Sequence, residues 1–268
     1  MEKLIWKCIL HVRDASPLVH NITNYVAMNN TANAVLAIGA SPIMSHAHSE
    51  IEDMVNICQS LVINIGTLDE YWSDSMIKAA EKAGQLQKPW MLDPVGAGAT
   101  SYRNDVLERL LPLKPTVIRG NASEILALAK HSQEVTKGVD STAQSNEAVA
   151  AAQYLNQTFG AIICISGETD IIVTKEQHFY VHNGSTLMTK VTGLGCSASA
   201  VIGAFIAGIE DKTEAVIAAT ALFSIAGEIA AEQVSGPGSL QVLLLDKLYN
   251  ITFEEIKQRL QLEVKNVE

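Results

Sequence analysis

The chain has 268 residues, of which 48% are hydrophobic and only 5% aromatic, so aliphatic side chains must supply most of the core. Its 19 basic and 29 acidic residues give a formal net charge of −10, which argues against a nucleic-acid-binding protein and against a partner of anionic membranes. The four cysteines have no zinc-like spacing and no signal peptide precedes the first predicted helix, so the reducing cytoplasm is the expected location.

Two long stretches, residues 15–49 and 191–209, contain no Asp, Glu, Lys or Arg. Both carry Gly, Ser, Thr or Asn throughout, whereas a membrane span needs about 20 predominantly apolar residues. We therefore expect buried segments rich in active-site residues, and no membrane partner.

In chain order, helix-like and strand-like patterns alternate along the first two thirds. The predicted helices cover residues 3–13, 26–38, 49–59, 70–83, 102–111, 122–129 and 143–158. The predicted strands cover residues 18–25, 41–44, 61–65, 90–93, 116–119 and 161–165. Capping boxes are expected at Ser49–Glu52 and Asn121–Glu124, and the polar stretch 131–142 is predicted to be an exposed loop.

The last third begins with alternating segments at 170–174 and 177–182, which predict a hairpin. Residues 189–192 then read as the end of a strand, followed by a tight loop and a helix that starts near Cys196. Three further helices are predicted over 213–233, 239–249 and 253–262, with Ser239 and Thr252 as their caps and Glu255 completing a box.

Strands that alternate with helices predict one α/β domain, residues 1–268, with a mostly parallel sheet covered by helices on both faces. Ligands of such sheets bind beyond the carboxyl ends of the strands. This rule gathers the polar residues at the strand ends into one cleft: Asn64, Asp93, Arg119, Ser166 and the loop 193–196.

The loop 193–196, at the start of the helix predicted near Cys196, predicts an anion site. Gly193 and Gly195 allow positive φ and close approach of a ligand. The first amides of the helix lack internal partners and carry partial positive charge, so the loop could hold a phosphoryl group as its charge develops.

Cys196 lies at the mouth of this loop, where a helix N-terminus lowers the pKa of a thiol. A covalent cysteine nucleophile needs a histidine base; no histidine is local in sequence, although His20, His46 or His48 could be neighbours in the fold. The alternative is that Cys196 is a small buried hydrophobe, as the other three cysteines are expected to be.

Charged residues at the strand ends also leave alternatives open. Asp93 precedes Pro94, so it either binds Mg²⁺, directly or through water, or simply starts a turn. Glu124 fits a capping box but would still lie beside the cleft. Arg119 ends an apolar strand, where a charge needs a partner, either a protein carboxylate or a nucleotide phosphate.

Several motifs together resemble one known family. Residues 191–196, Val-Thr-Gly-Leu-Gly-Cys, are similar to the anion-hole motif of the ribokinase-like superfamily, whose sugar kinases carry Asp where this chain has Cys196. A cysteine there, with residues 92–99 (Leu-Asp-Pro-Val-Gly-Ala-Gly-Ala), 119–124 (Arg-Gly-Asn-Ala-Ser-Glu) and 17–24 (Pro-Leu-Val-His-Asn-Ile-Thr-Asn), resembles the hydroxyethylthiazole kinase family.

The resemblance implies a ribokinase-like three-layer α/β/α fold without a separate lid domain. It implies phosphorylation of the primary hydroxyl of 4-methyl-5-(2-hydroxyethyl)thiazole with ATP and Mg²⁺, in thiamine biosynthesis or salvage. It also implies a homotrimer with substrate sites between subunits.

Residue roles follow from the same resemblance. Asn24, Met44 and Gly193 would bind the thiazole, and Arg119 and Ser166 would bind ATP, with Ser166 where relatives often have Thr. The remaining expected roles are magnesium binding by Asp93 and Glu124, and a catalytic role for Cys196 with Gly193 and Gly195.

Two rival functions remain. One is another ribokinase-like kinase, for hydroxymethylpyrimidine or pyridoxal, which the combination of Asn24, Met44 and Cys196 disfavours. The other is a catalytically weak thiazole- or nucleotide-binding sensor, which intact Asp93 and Arg119 disfavour.

Overall fold

The structure is a computed structural model that describes residues 1–134 and 144–267. Its strands are β1 (Leu18–Ile22), β2 (Ser41–Ile43), β3 (Ser60–Asn64), β4 (Trp90–Asp93), β5 (Val117–Asn121), β6 (Ile162–Ser166), β7 (Asp170–Val173), β8 (Gln177–Val181) and β9 (Leu262–Asn266). They form one sheet in the order β2-β1-β3-β4-β5-β6-β7-β8-β9. The pairs from β2 to β6 are parallel and those from β6 to β9 are antiparallel.

Helices cover both faces of this sheet. They are α1 (Glu2–Ala15), α2 (Met28–Ala37), α3 (Ile51–Ile57), α4 (Glu70–Gln85), α5 (Ser101–Leu110), α6 (Ala122–Glu134), α7 (Gln144–Phe159), α8 (Leu194–Gly208), α9 (Lys212–Glu232), α10 (Pro237–Asn250) and α11 (Phe253–Arg259), with 3₁₀ turns at Leu111–Leu113 and Thr186–Lys190. One apolar cluster lies between the sheet and α1, α2 and α8 to α11, and a second lies between the sheet and α3 to α7. This arrangement confirms the predicted three-layer α/β/α architecture, and the described strands form no separate lid sheet.

Helix α9 is the one described helix that is long and apolar enough to cross a membrane, by length and composition. However, 83% of its apolar window is buried inside the protein, where α9 packs against α1, α8 and α10. Buried core helices of this kind need no polar face, so the composition of α9 is explained by its place in the core.

Four local predictions were wrong. Helix α3 starts at Ile51, and Ser49 and Glu52 form no capping box there. Helix α10 starts at Pro237 after the N-cap Gly236, so Ser239 lies inside the helix and is not its cap. The predicted helix 253–262 stops at Arg259, and the following residues form β9 instead.

The fourth concerns the segment before Gly193, where a 3₁₀ helix (Thr186–Lys190) stands in place of the predicted strand end. The predicted loop 131–142 begins inside α6, which continues to Glu134, and its remainder lies outside the described residues. The capping boxes at Asn121–Glu124 and Thr252–Glu255 are confirmed.

Candidate active site

The parallel sheet brings the polar strand ends together, as the sequence predicts. Asn64 ends β3 and pairs in register with Asp93 at the end of β4. Ser166 ends β6 and pairs with Asn121 at the end of β5, two residues beyond Arg119. The cleft therefore lies along the carboxyl edge of the central strands, and α8 packs against β1, β3 and β4 beside it.

Asp93 is an almost fully buried carboxylate, only 4% exposed. Its Oδ2 accepts hydrogen bonds from the Asn64 amide and the Ser199 hydroxyl, both at 2.7 Å. Burial raises the pKa of Asp93 to about 6, because the stabilising charge of Arg119 and the two hydrogen bonds only partly offset desolvation. Because its ionised form is poorly solvated, the Asp93 carboxylate would be stabilised by a cation bound beside it.

Asn24 connects this carboxylate to the cysteine. Its side-chain Nδ2 donates to Asn64 Oδ1 at 2.7 Å and to Cys196 Sγ at 3.2 Å, while its Oδ1 accepts from the amide of Ala27 at 3.0 Å. These contacts fix the orientation of the Asn24 amide. They place Cys196 in one network with Asn24, Asn64 and Asp93.

Cys196 is half-buried in the first turn of α8. Burial, and next the charge of Asp93, raise its pKa above the ordinary 9.0, outweighing the donated hydrogen bonds. The expectation that the helix N-terminus lowers this pKa was therefore wrong. Among the described residues no histidine is hydrogen-bonded to Cys196. His20 contacts the Ser45 carbonyl, His46 packs against the Trp72 ring and His48 contacts Tyr71. A covalent cysteine mechanism thus has no base here.

The anion loop differs in one detail from its prediction. Gly193 is the N-cap of α8 with φ 80°, so it alone supplies the left-handed turn. Gly195 lies inside the helix. The amide of Ser197 is the first to bond within this turn, to the Gly193 carbonyl at 2.9 Å, which leaves the three preceding amides for a ligand.

Arg119 is half-buried and faces this loop. Its Nη1 donates to the Gly195 carbonyl at 3.1 Å. Among the described residues it forms no salt bridge within 4.0 Å, although Asp93 and Asp170 interact with it electrostatically. Donors of the guanidinium thus remain available to an anion between Arg119 and the start of α8.

Glu124 supports the turn that follows β4. Its two carboxylate oxygens accept the amides of Gly96 at 2.9 Å and Asn121 at 2.8 Å. The capping interpretation is therefore correct, and the cap does lie beside the cleft. Met44 is half-buried just beyond the edge strand β2, and within the described part of the chain no hydrogen bond joins it to the network of Asp93.

The chain is similar to known proteins along nearly its whole length. The model of the hydroxyethylthiazole kinase family matches residues 9–254. A hydroxyethylthiazole kinase of Leptospira biflexa is 55% identical over 250 residues, which cover 93% of both chains. The solved hydroxyethylthiazole kinase of Pyrococcus horikoshii is 41% identical, with a TM-score of 0.90 over 99% of this chain and 100% of that one.

The chain belongs to the hydroxyethylthiazole kinase family. A ribokinase-like superfamily protein from Enterococcus faecalis, 14% identical with a TM-score of 0.61 over 86% of both chains, shows the same fold. The ribokinase-like fold predicted from the motifs is thereby confirmed.

In this hydroxyethylthiazole kinase family member, sequence reasoning missed two polar residues of the cleft. Ser199 holds Asp93, and Asp170 accepts the Gly167 amide at 3.2 Å and the Ser224 hydroxyl at 2.9 Å. Ser199 follows Cys196 by three positions, which places both on one helix face. This spacing could have identified Ser199 from the sequence. Asp170 begins β7 and orders the turn after Ser166.

Gly66→Ala is expected to dislodge Asn24. An added Cβ would lie 2.7 Å from the Asn24 Cγ, so Asn24 must leave Asn64 and Cys196. We expect a loss of about 1–3 kcal/mol of unfolding free energy. We also expect slower reaction of Cys196 with a thiol reagent, because the hydrogen bond from Asn24 lowers the pKa of Cys196 and its loss leaves less of the reactive thiolate.

Gly84→Ala in α4 is the matched control, because nothing lies within 4 Å of its added Cβ. It should be neutral or stabilise by up to about 1 kcal/mol. Denaturant unfolding and thiol-reaction rates measure both effects. Equal stability and equal thiol reactivity of the two variants would contradict the proposed packing of Asn24.

Proposed function

We propose that the chain transfers a phosphoryl group from ATP to the primary hydroxyl of 4-methyl-5-(2-hydroxyethyl)thiazole, in thiamine biosynthesis or salvage. The carrying observation is the network in which Asn24 touches both Cys196 and Asn64, and Asn64 holds Asp93. It joins a thiol and a buried carboxylate at the N-terminus of α8, in a chain 55% identical to a protein of that name.

The thiazole would bind beside Asn24, with Met44 and Gly193 on its other sides. Asn24 is buried and its amide orientation is fixed, so it presents a defined polar surface. The accepting hydroxyl would then lie near Cys196 and the free amides of α8. The acceptor would then lie where phosphoryl charge develops.

Arg119 and Ser166 would bind the phosphates of ATP. Arg119 lacks a salt bridge among the described residues and lies against the start of α8, which favours the phosphate over a protein carboxylate as its partner. Ser166 ends β6 with its side chain half-buried at the edge of the cleft. Arg119 on one side and the α8 amides on the other would present positive charge to the transferred phosphoryl group. This charge would stabilise the transition state more than the ground state.

Magnesium fits the carboxylates of this cleft. Asp93 uses only Oδ2 for hydrogen bonds with the described residues, which leaves Oδ1 for a hard cation or one of its waters. Glu124 would complete the site through the remaining lone pairs of its oxygens. When bound, the ion would neutralise phosphate charge during transfer.

Cys196 would assist the accepting hydroxyl without acting as a strong base. Its raised pKa keeps the thiol protonated near pH 7. Phosphoryl transfer through a loose transition state depends more on positioning and charge neutralisation than on proton removal. The Cys196 thiol and the amides of α8 would therefore together position the accepting hydroxyl.

Cys196→Ala and Cys196→Ser are expected to lower kcat by roughly 10²-fold without abolishing it. Cys196→Asp should stay active, because Asp occupies this position in related sugar kinases and Asn24 would donate to it. Steady-state kinetics with circular dichroism as a folding control measure this. A folded but inactive Asp variant would contradict the assignment of position 196 to the accepting hydroxyl.

A coupled ATPase assay with hydroxyethylthiazole, hydroxymethylpyrimidine and pyridoxal separates the three candidate functions. Turnover only with hydroxyethylthiazole supports the proposed reaction. Turnover only with one of the other alcohols supports another ribokinase-like kinase. Turnover with none supports a sensor that binds without transferring phosphate.

A homotrimer with sites between subunits completes the proposal. Tyr25 and Val26, which follow Asn24 directly, are 61% and 59% exposed in the single chain, so this side of the site has apolar surface for a second copy to cover. Light scattering should give three times the 28.8 kDa of one chain. A monomer mass would contradict shared sites.

We also infer that residues 1–268 act as one kinase domain in the cytoplasm. One continuous sheet carries Asp93, Arg119 and Ser166, and α8, which carries Cys196, packs against β1, β3 and β4 of the same sheet. The four cysteines, Cys8, Cys58, Cys164 and Cys196, are all free thiols, which suits a reducing compartment.

A further inference from the structure

Arg103 makes an unusual set of contacts beside the cleft. It is the third residue of α5 and its side chain is half-buried. One guanidinium nitrogen, Nη1, donates to the carbonyls of Ile65 and Val95, the latter at 2.7 Å, and Nη2 donates to the carbonyl of Gly66 at 2.5 Å. One side chain thus joins the loop after β3 to the loop after β4.

The stability of α5 does not explain this residue. A positive charge in the first turn of a helix opposes the helix dipole. Among the described residues Arg103 has no carboxylate within salt-bridge distance, so only carbonyl oxygens satisfy its donors. Thr100 already caps the helix by accepting the Arg103 amide at 3.3 Å.

Each of the two joined loops supports a different end of the proposed site. On one side, the Gly66 amide donates to Asn64 Oδ1 at 3.0 Å, and the Gly66 backbone packs against Asn24. This is the end assigned to the phosphate acceptor. Arg103 therefore contacts the backbone that holds Asn24 and Asn64 in place.

On the other side, Val95 and Gly96 follow Asp93 and Pro94 directly, and the Gly96 amide binds Glu124. This is the end assigned to magnesium and phosphate. The neighbouring Asn104 accepts the Gly98 amide at 2.9 Å. Two side chains at the start of α5, Arg103 and Asn104, therefore bind the loop after β4.

We propose that Arg103 is a positioning residue that fixes the spacing between the acceptor end and the magnesium–phosphate end of the site. Its planar fork reaches three carbonyls on two loops, which a single lysine ammonium cannot do in the same geometry. This inference rests on the proposed kinase function. A misplacement of about 1 Å between reacting groups lowers turnover by about 10²-fold.

Arg103→Lys tests the fork while keeping the charge. We expect kcat to fall about 10–100-fold, with the KM values for both substrates changed less than about threefold. Arg103→Ala should be slower still, and guanidinium at millimolar concentration should restore part of its kcat. Arg109→Lys is the matched control on the same helix, because Arg109 pairs with Asp74 on the surface at 3.5 Å, and it should leave kcat unchanged.

A second measurement does not depend on turnover. Calorimetry of ADP binding with and without magnesium should show that Arg103→Lys reduces the gain in affinity that magnesium provides, while ADP alone binds as in the wild type. All assays are made well below each variant's Tm. A folded Arg103→Lys protein with wild-type kcat and wild-type magnesium gain overturns the inference, as does activity that only follows the folded fraction. An inactive wild type would instead overturn the proposed function, and the calorimetry would still test Arg103.

Discussion

Asp93→Asn is expected to remove nearly all turnover and to stabilise the ligand-free protein above pH 6. The amide oxygen of Asn can accept from Asn64 and Ser199 as Oδ2 does. Its NH₂ group replaces Oδ1, which is the oxygen assigned to magnesium. Loss of that charge should lower kcat by roughly 10³-fold or more.

The stability gain follows from the raised pKa of Asp93. Its folded-state pKa of about 6 lies above the ordinary 3.8, so at pH 8 the buried carboxylate is ionised at a penalty that the unfolded chain does not have. Removing it should contribute on the order of 1–3 kcal/mol. As the pH falls through 6 toward 3.8, the folded wild type takes up its proton first, and the difference between wild type and variant should shrink.

Denaturant unfolding with EDTA at pH 8 and pH 5 measures this difference, and steady-state kinetics measure kcat. Asp74→Asn is the matched control, because Asp74 is a surface carboxylate 53% exposed, and it should change neither quantity. A variant that keeps a tenth of wild-type turnover would contradict the role of Asp93. A stability difference that does not change between the two pH values would contradict the buried-charge account.

Much of the fold was predictable because local patterns and the parallel sheet agree. Apolar strands that alternate with amphipathic helices leave few other architectures. The rule for strand ends placed Asn64, Asp93 and Ser166 at one edge correctly, although they are far apart in the chain. Such a rule needs only topology, and topology is what periodicity predicts best.

Local signals failed where distant contacts decide. Ser49 and Glu52 have the spacing of a capping box, but Glu50 binds the Ser45 hydroxyl and Glu52 pairs with Lys82 of α4 at 3.6 Å. Strand β9 forms by pairing with β8. Because this partner is distant in the sequence, the local pattern around residues 253–262 could not predict the strand.

The chemistry of Cys196 shows the same limit. A helix N-terminus lowers a thiol pKa when nothing else acts on it. Here burial and the charge of Asp93, from another strand, raise it instead. The sequence identified Cys196 as a candidate site residue, whereas its pKa depends on neighbours that the fold brings close.

Arg119→Met is expected to lower kcat by about 10²–10³-fold while leaving the protein folded. The Arg119 guanidinium contacts only one backbone carbonyl, that of Gly195 at 3.1 Å, by hydrogen bonds within the described structure. Its loss also removes the charge that lowers the pKa of the Asp93 and Asp170 carboxylates, so circular dichroism must accompany the kinetics as a folding control. The same substitution removes the positive charge that faces the free amides of α8, and this charge would act mainly on the transition state.

Arg119→Lys should recover part of the loss, because lysine keeps the charge but not the bidentate fork. If Arg119 stabilises the transition state, kcat and kcat/KM should fall together, whereas a purely binding role would raise KM for ATP at constant kcat. Kinetics at varied ATP, with calorimetric Kd values for ADP, distinguish these cases. Arg109→Met on the surface of α5 serves as the control for removing an arginine. A folded Arg119→Met protein with near wild-type kcat would show that the amides of α8 and the proposed magnesium ion neutralise the transferred group without it.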